Sequence, residues 1–224
     1  MRCVSTGTTS RNEATSRAER LLAAGKNVYL AGFMGTGKSA TAKAISRILG
    51  VKAVDLDEQI VRAEGLSVAE IFAQQGERAF RNAEHRALKA VANGTGKSGV
   101  SGAGGRGGVV ALGGGAVCFE RNRELLRGTG PVVLLTATPE AILKRVGRSD
   151  ERPLLAGPDA PARVRALLLR RMRDYRRYRL RVDTSELTPA GAAEAVLQAV
   201  DHAGRLADAA RARAMASRRG GTCR

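Results

Sequence analysis

Eight residues, Gly32-Phe33-Met34-Gly35-Thr36-Gly37-Lys38-Ser39, read G-x-x-x-x-G-K-S, the spacing with which a short loop wraps phosphate oxygens. Backbone N–H groups of Gly35, Thr36, Gly37, Lys38, Ser39 and Ala40 can cradle those oxygens. The Lys38 ammonium can reach the β- and γ-phosphate oxygens of a nucleotide, and the Ser39 hydroxyl can hold Mg2+. Such a loop needs a strand leading in, and a helix leading out whose free N–H groups and positive dipole end face the anion. Asn27 to Ala31 is short and apolar between Gly25 and Gly32, as a buried strand is; Ser39 to Leu49 has helical apolar spacing and stops at Gly50. The pentapeptide Gly-Thr-Gly-Lys-Ser recurs at 94–98, but Val91 occupies the position that needs glycine, and the sequel is mostly Gly and Ser. The second copy reads as a flexible loop.

Two carboxylates form the next candidate set. Val51 to Asp57 reads as a strand ending in Asp55 and Asp57. Mg2+ accepts one or two carboxylates, directly or through water, and Asp55 is placed for that task. Asp57, two residues on along the same strand face, can take a proton from an attacking hydroxyl. The alternative for D-x-D at a strand end is a turn that caps a helix.

These residues need a scaffold. Strand signals at 27–31, 51–57, 109–112, 132–135 and 181–183 alternate with helical stretches. The helices are expected at 39–49, 67–75, 77–92 (broken at Gly76), 120–127, from Pro139, 162–180 and after Pro189. The alternation predicts a three-layer α/β fold with a doubly wound, parallel, five-stranded sheet. Ligands of such sheets bind beyond the carboxyl ends of the strands. The phosphate loop, the Asp55/Asp57 pair and Gly113-Gly114-Gly115 all fall at such ends, so they should converge.

The 224 residues suit one domain, 27–200, between a basic extension at 1–26 and a basic tail at 201–224, both expected to be poorly ordered. Residues 93–108 are a Gly/Ser-rich insertion, and 148–161, with Pro153, Gly157, Pro158 and Pro161, read as a mobile loop. Hydrophobic residues at 43% with only 3% aromatics call for a core of Leu, Val, Ile and Ala, which fits helices on a parallel sheet. No apolar run approaches a membrane span, and the first twenty residues lack the apolar block of a secretory signal. Cys3, Cys118 and Cys223 are isolated, without the pairing of a disulfide framework or the spacing of a metal site. A cytoplasmic enzyme is the expected setting. The net charge of +17 resembles that of a nucleic-acid binder, yet residues 144–181 alone hold 13 basic against 4 acidic residues. Both ends and the 93–108 loop carry the remaining excess, which reads as solvated tails rather than a nucleic-acid reader.

In chain order, GFMGTGKS, VDLDEQIV, IFAQQGERAFRNAE, ALGGGAV and RPLLAGPD within a basic helical region resemble shikimate kinase, a family of nucleoside-monophosphate-kinase-like phosphate-loop kinases. The resemblance covers about residues 27–200. It implies transfer of the γ-phosphoryl group of ATP to the 3-hydroxyl of shikimate, with Mg2+, on the route to chorismate and the aromatic amino acids. It implies that Asp57 binds the substrate hydroxyls and acts as base, and that Arg81 grips the substrate carboxylate while Glu84, one helical turn on, holds it. Arg171 becomes a second carboxylate-binding arginine; two guanidinium forks give a geometric match that lysine would not. Gly113, Gly114 and Gly115 would let hydroxyls approach bare amides. Arg152 falls in the family's lid, 148–161, where it would neutralise the moving phosphoryl group, and Arg145 falls near adenine. The basic 144–181 cluster would then face a triphosphate and a carboxylate.

Blander readings stand beside these. Arg81, Arg145 and Arg152 can be surface charges, and the glycines a structural bulge. His85 and His202 read as ordinary helix residues, Tyr175 and Tyr178 as packing, and Cys118 as filler behind the glycines. The stretch 182–189 lacks the arginine that the family often carries near its proline. The expected partners are ATP and shikimate, with no membrane and no specific nucleic acid, in a monomer. A gluconate kinase is the nearest rival; a nucleotide-binding protein with nucleic-acid-binding tails is the rival from another class.

Overall fold

The computed structural model describes residues 17–94, 107–146 and 159–219. Five strands form one sheet: β1 Val28–Gly32, β2 Ala53–Asp55, β3 Val109–Ala111, β4 Val132–Thr136 and β5 Arg181–Asp183. Their order is β2-β3-β1-β4-β5, and every neighbouring pair is parallel. The helices are α1 at 17–23, α2 Lys38–Leu49, α3 Leu56–Glu64, α4 Val68–Ala92, α5 Glu120–Leu126, α6 Pro139–Val146, α7 Ala160–Tyr175 and α8 Pro189–Arg219.

The strands alternate by one residue between two cores, as a pleated ribbon must. Val28 and Leu30 of β1, Val109 and Ala111 of β3, and Val133 and Leu135 of β4 face a core shared with Ile45 of α2 and Val196 and Leu197 of α8. Tyr29, Ala31, Val110, Leu112 and Leu134 face the other, shared with Leu88 of α4, Leu126 of α5, Ile142 of α6 and Val164 of α7. Both faces of the sheet are therefore covered, and the three-layer parallel architecture stands. A satellite cluster of Ile60, Ile71, Phe80 and Ala83 joins α3 to α4.

Four expectations are corrected. The extension is folded from residue 17: Ala18 and Leu22 of α1 are fully buried, and the Arg17 guanidinium meets Asp208 at 2.6 Å. Leu21 and Leu22 follow Ala18 at helical spacing, a signal hidden among basic neighbours. The tail is helical as far as Arg219, because α8 continues past 201. Residues 56–64 are helix α3, not the end of a strand plus a connection; Asp55 caps it and Gly65 at φ 69° closes it. Helix α7 stops at Tyr175, short of the expected 180. The expected break at Gly76 is a kink inside α4 (φ 80°, ψ 172°). Residues 107–108 anchor the start of β3 on Leu22 and Asn27 at the end of the sheet remote from the triple glycine; 95–106 lie outside the described residues.

Candidate active site

The phosphate loop joins β1 to α2. Gly37 precedes α2 in the left-handed region (φ 85°), a conformation that glycine adopts without Cβ strain. It offers no side chain to cap the helix, so the first-turn N–H groups stay open to an anion. Thr36 is buried and its hydroxyl donates to the Phe33 carbonyl at 2.8 Å, closing the loop on itself. The Lys38 ammonium donates to the same carbonyl at 2.9 Å and is half-buried. Ala40, on the first turn of α2, is exposed.

Asp55 and Asp57 do not share a strand face. Asp55 is the N-cap of α3: Oδ1 accepts from the amides of Asp57 (3.0 Å) and Glu58 (3.4 Å), while Oδ2 accepts from the Ser39 hydroxyl. The capping alternative is therefore correct for Asp55, and it coexists with a place beside the phosphate loop. Asp57 sits in the first turn of α3, where the cap turns its carboxylate towards the triple glycine.

The three glycines after β3 are lined on their open side by the other candidates. A methyl group built on Gly113 would lie 2.7 Å from Glu84 Oε1 and 2.9 Å from Asp57 Oδ1. On Gly114 it would lie 3.2 Å from Arg171 Nη1 and 3.4 Å from the Met34 amide nitrogen; on Gly115 it would lie 3.1 Å from both terminal nitrogens of Arg81. Three successive bare Cα positions thus touch a carboxylate pair and two guanidinium groups, one step from the phosphate loop. Arg171 also lies over the Phe33 ring at 5.4 Å, and its Nη1 is buried without a hydrogen bond among the described residues.

Arg81 is clamped rather than solvated. Its Nη1 donates to both oxygens of Glu84 at 3.2 Å, its Nε and Nη2 reach Glu77, and its guanidinium lies over Phe80 (5.1 Å) and Phe119 (4.7 Å). Glu84 has a fully buried side chain. Burial pushes its carboxyl above the ordinary value, and the Arg81 guanidinium opposes that rise. Asn122, also buried, braces this cluster: its Nδ2 donates to Ala116 O at 3.0 Å and to Glu84 at 3.5 Å, and its Oδ1 lies 2.9 Å from His85 Nδ1. His85 is thus a helix residue with one structural bond.

Arg145 spans two loops. Its Nη1 donates to Gly35 O (3.3 Å) and Thr184 Oγ1 (3.3 Å), and its Nη2 to the Ser185 carbonyl (2.9 Å). It therefore stands on the very stretch, 182–189, that lacks its own arginine. Buried Thr184 ties that stretch to Thr36 O and Thr136 O, both at 3.0 Å. The expectation that the whole 144–181 cluster faces ligand is corrected: Arg163, Arg165, Arg170, Arg173, Arg176, Arg177 and Arg179 are exposed, and Arg171 alone of the α7 arginines lies at the glycines. Arg152, with residues 148–158, lies outside the described residues.

Sequence reasoning missed Asn122, Thr184 and the hydroxyl of Tyr175, which donates to Gly114 O at 2.6 Å. Nothing in their local pattern separates them from surface or packing residues; only the fold supplies their partners. Cys118, half-buried beside the second core, is the filler expected. No described helix is long and apolar enough to cross a membrane.

A family model for shikimate kinase matches residues 34–201. A shikimate kinase of Geobacter sulfurreducens is 46% identical over 161 residues, 72% of this chain and 83% of the relative. That of Caldanaerobacter subterraneus is 37% identical over 174 residues, 78% of this chain and 95% of the relative. Among solved structures, a shikimate kinase from Acinetobacter baumannii in complex with shikimate is similar at a TM-score of 0.70 and 31% identity, covering 80% of this chain and 95% of that one. The shikimate kinase of Aquifex aeolicus follows at 0.64 and 29%, covering 80% and 98%. With the phosphate loop, the capped aspartates and the arginine-lined glycines in one order and one place, this chain belongs to the shikimate kinase family.

Proposed function

We propose that this chain transfers the γ-phosphoryl group of ATP to the 3-hydroxyl of shikimate, giving shikimate 3-phosphate and ADP, as a cytoplasmic monomer. The observation that carries the reading is the seating of Asp57, Arg171 and Arg81 against three consecutive glycines beside the phosphate loop. An acceptor with one carboxylate and several ring hydroxyls complements that set. Arg81 and Arg171 hold the carboxylate through planar forks, the glycine amides meet hydroxyls, and Asp57 accepts the proton of the hydroxyl that attacks.

On the donor side, Lys38 leaves the Phe33 carbonyl for the β- and γ-phosphates, and the loop amides take the remaining oxygens. Ser39 and Asp55, already in contact, are a hydroxyl and a carboxylate, the hard oxygen donors that Mg2+ takes while keeping much of its water. Such a site needs no cluster of three acidic groups, and none occurs among the described residues. Mg2+ bound there would neutralise phosphate charge. Arg145, on Gly35 and the 184–185 carbonyls, fixes the edge of the adenine pocket. Arg152 enters the reading by its charge and its place in RPLL.

The test is ADP release by the purified chain with shikimate, quinate or gluconate as acceptor. Turnover that depends on shikimate is expected; turnover on gluconate alone overturns the reading. Lys38→Ala should cut kcat by about 10²–10³-fold with the fold intact by circular dichroism.

A further inference from the structure

We infer that Tyr175 is a positioning residue of the acceptor side: its hydroxyl holds the Gly114 carbonyl and so aims the Gly115 N–H at the bound acid. The inference rests on the acceptor reading above and deepens it. Tyr175 is 4% exposed and its Oη donates to Gly114 O at 2.6 Å. The Gly114 carbonyl and the Gly115 N–H belong to one planar trans peptide unit and point to opposite sides of it. Fastening the carbonyl therefore fixes the direction in which that amide points. Glycine needs such an external hold, because its backbone has no side chain to restrict it.

The other carbonyls of the turn are committed in the same way. Gly113 O accepts from Ala116 N at 3.0 Å and Gly115 O from Cys118 N at 2.9 Å. Ala116 O accepts from Asn122, and the Val117 and Cys118 carbonyls accept from Arg123 Nη1 at 3.2 and 2.9 Å. Oxygens that would repel an anionic or hydroxyl-bearing acceptor's own oxygens are drawn aside, which leaves amides to meet it. Tyr175 also lies one helical turn beyond Arg171 on α7, so one face of one helix sets both the carboxylate-binding cation and the neighbouring peptide. Burial raises the phenol well above its ordinary value, the Arg171 guanidinium opposing, so it stays a donor at neutral pH.

The experiment compares the full chain with Tyr175→Phe in the ADP-release assay, varying each substrate in turn. Wild-type turnover on shikimate is established first; its absence would defeat the acceptor reading itself. Given that turnover, loss of the hydroxyl should raise the shikimate KM about tenfold, as for a carbonyl left without its donor. The ATP KM should stay within about twofold. Tyr178→Phe, three residues past the end of α7 and without a hydrogen bond to the turn among the described residues, should leave both constants at wild-type values. Should phenylalanine at 175 misfold, Tyr175→Met removes the same hydroxyl and must give the same split. An unchanged shikimate KM, an equal rise for both substrates, or an equal effect of Tyr178→Phe overturns the inference.

Discussion

The two halves of the site are built from different material. The donor half, Gly32 to Ser39, is eight consecutive residues whose chemistry is mostly main chain, placed by one strand and one helix. The acceptor half, as proposed, draws Asp57 from α3, Arg81 and Glu84 from α4, three glycines from the end of β3, and Arg171 from α7. Main-chain amides cannot be mutated away and bind any polyphosphate alike. Side chains gathered from three helices can be exchanged singly, and they need partners to stay in place. On the proposed reading the acceptor half carries the specificity, and with it the electrostatic cost: a fully buried carboxylate, Glu84, held between Arg81 and Asn122. Substitutions should separate the halves in kinetics.

The widest separation is expected at Asp57. Asp57→Asn keeps the shape of the acceptor half and removes the proposed proton acceptor. Turnover should fall by about 10²–10⁴-fold, the range of a general base, while ATP affinity and melting temperature stay close to wild type. A kcat within a few-fold of wild type would return Asp57 to a purely binding role.

The same division explains what could be read from sequence. A contiguous loop is legible because its spacing, lead-in strand and exit helix are all local, and β1, β3, β4 and β5 appear close to their expected places. Asp57 was legible as one of two carboxylates at a strand end, whereas Arg81 and Arg171 were legible only through the order of five motifs, since nothing near Arg171 distinguishes it from the exposed Arg170 or Arg173 beside it. Asn122, Thr184 and Tyr175 act through hydrogen bonds spanning 38, 148 and 61 residues, a distance at which one sequence gives no signal. Helix α3 was missed for a different reason: the strand-pair reading of Asp55 and Asp57 stood ahead of the capping alternative, which the acidic first turn and closing glycine support. Helix α1 was lost because charge along residues 17–20 obscured Ala18 and its two leucines.

Gly113→Ala tests whether the halves are independent. The added methyl would meet carboxylate oxygens of Glu84 and Asp57 at 2.7 and 2.9 Å, nearer than real contacts allow, so both must shift. A displacement of about 1 Å at reacting groups costs on the order of 10²-fold. That loss should appear in kcat/KM for shikimate, with the ATP KM unchanged. A matching rise in the ATP KM would mean that the glycine turn and the phosphate loop move as one body, and the comparison would collapse.

Arg81→Lys should do less. The charge remains, but the fork that spans Glu84 and Glu77 and lies over Phe80 and Phe119 is lost. The shikimate KM should rise roughly tenfold, the size of one lost bidentate hydrogen bond, with the ATP KM within about twofold. Equal changes in both constants would make Arg81 a structural residue.

The smallest effect concerns pH. Burial holds Glu84 above its ordinary value of 4.5, with Arg81 pulling the other way. Between the unfolded and folded values the folded chain binds more protons than the unfolded one, so stability falls as pH rises across that window and is level above it. Glu84→Gln has no such group, and wild type should lose stability relative to it only within the window. The functional sign is the reverse. Above the raised value Glu84 is ionised and fixes Arg81; as pH falls through it, the carboxyl takes a proton and its grip on the guanidinium weakens. The wild-type shikimate KM should then rise a few-fold, while Glu84→Gln, neutral throughout, shows the weakened KM at every pH without that inflection. ATP binding, resting on main-chain amides across the site, should carry no such step in either protein. An inflection that persists in Glu84→Gln would assign the titration to another group and leave Arg81 held by Glu77 and its two aromatic rings instead.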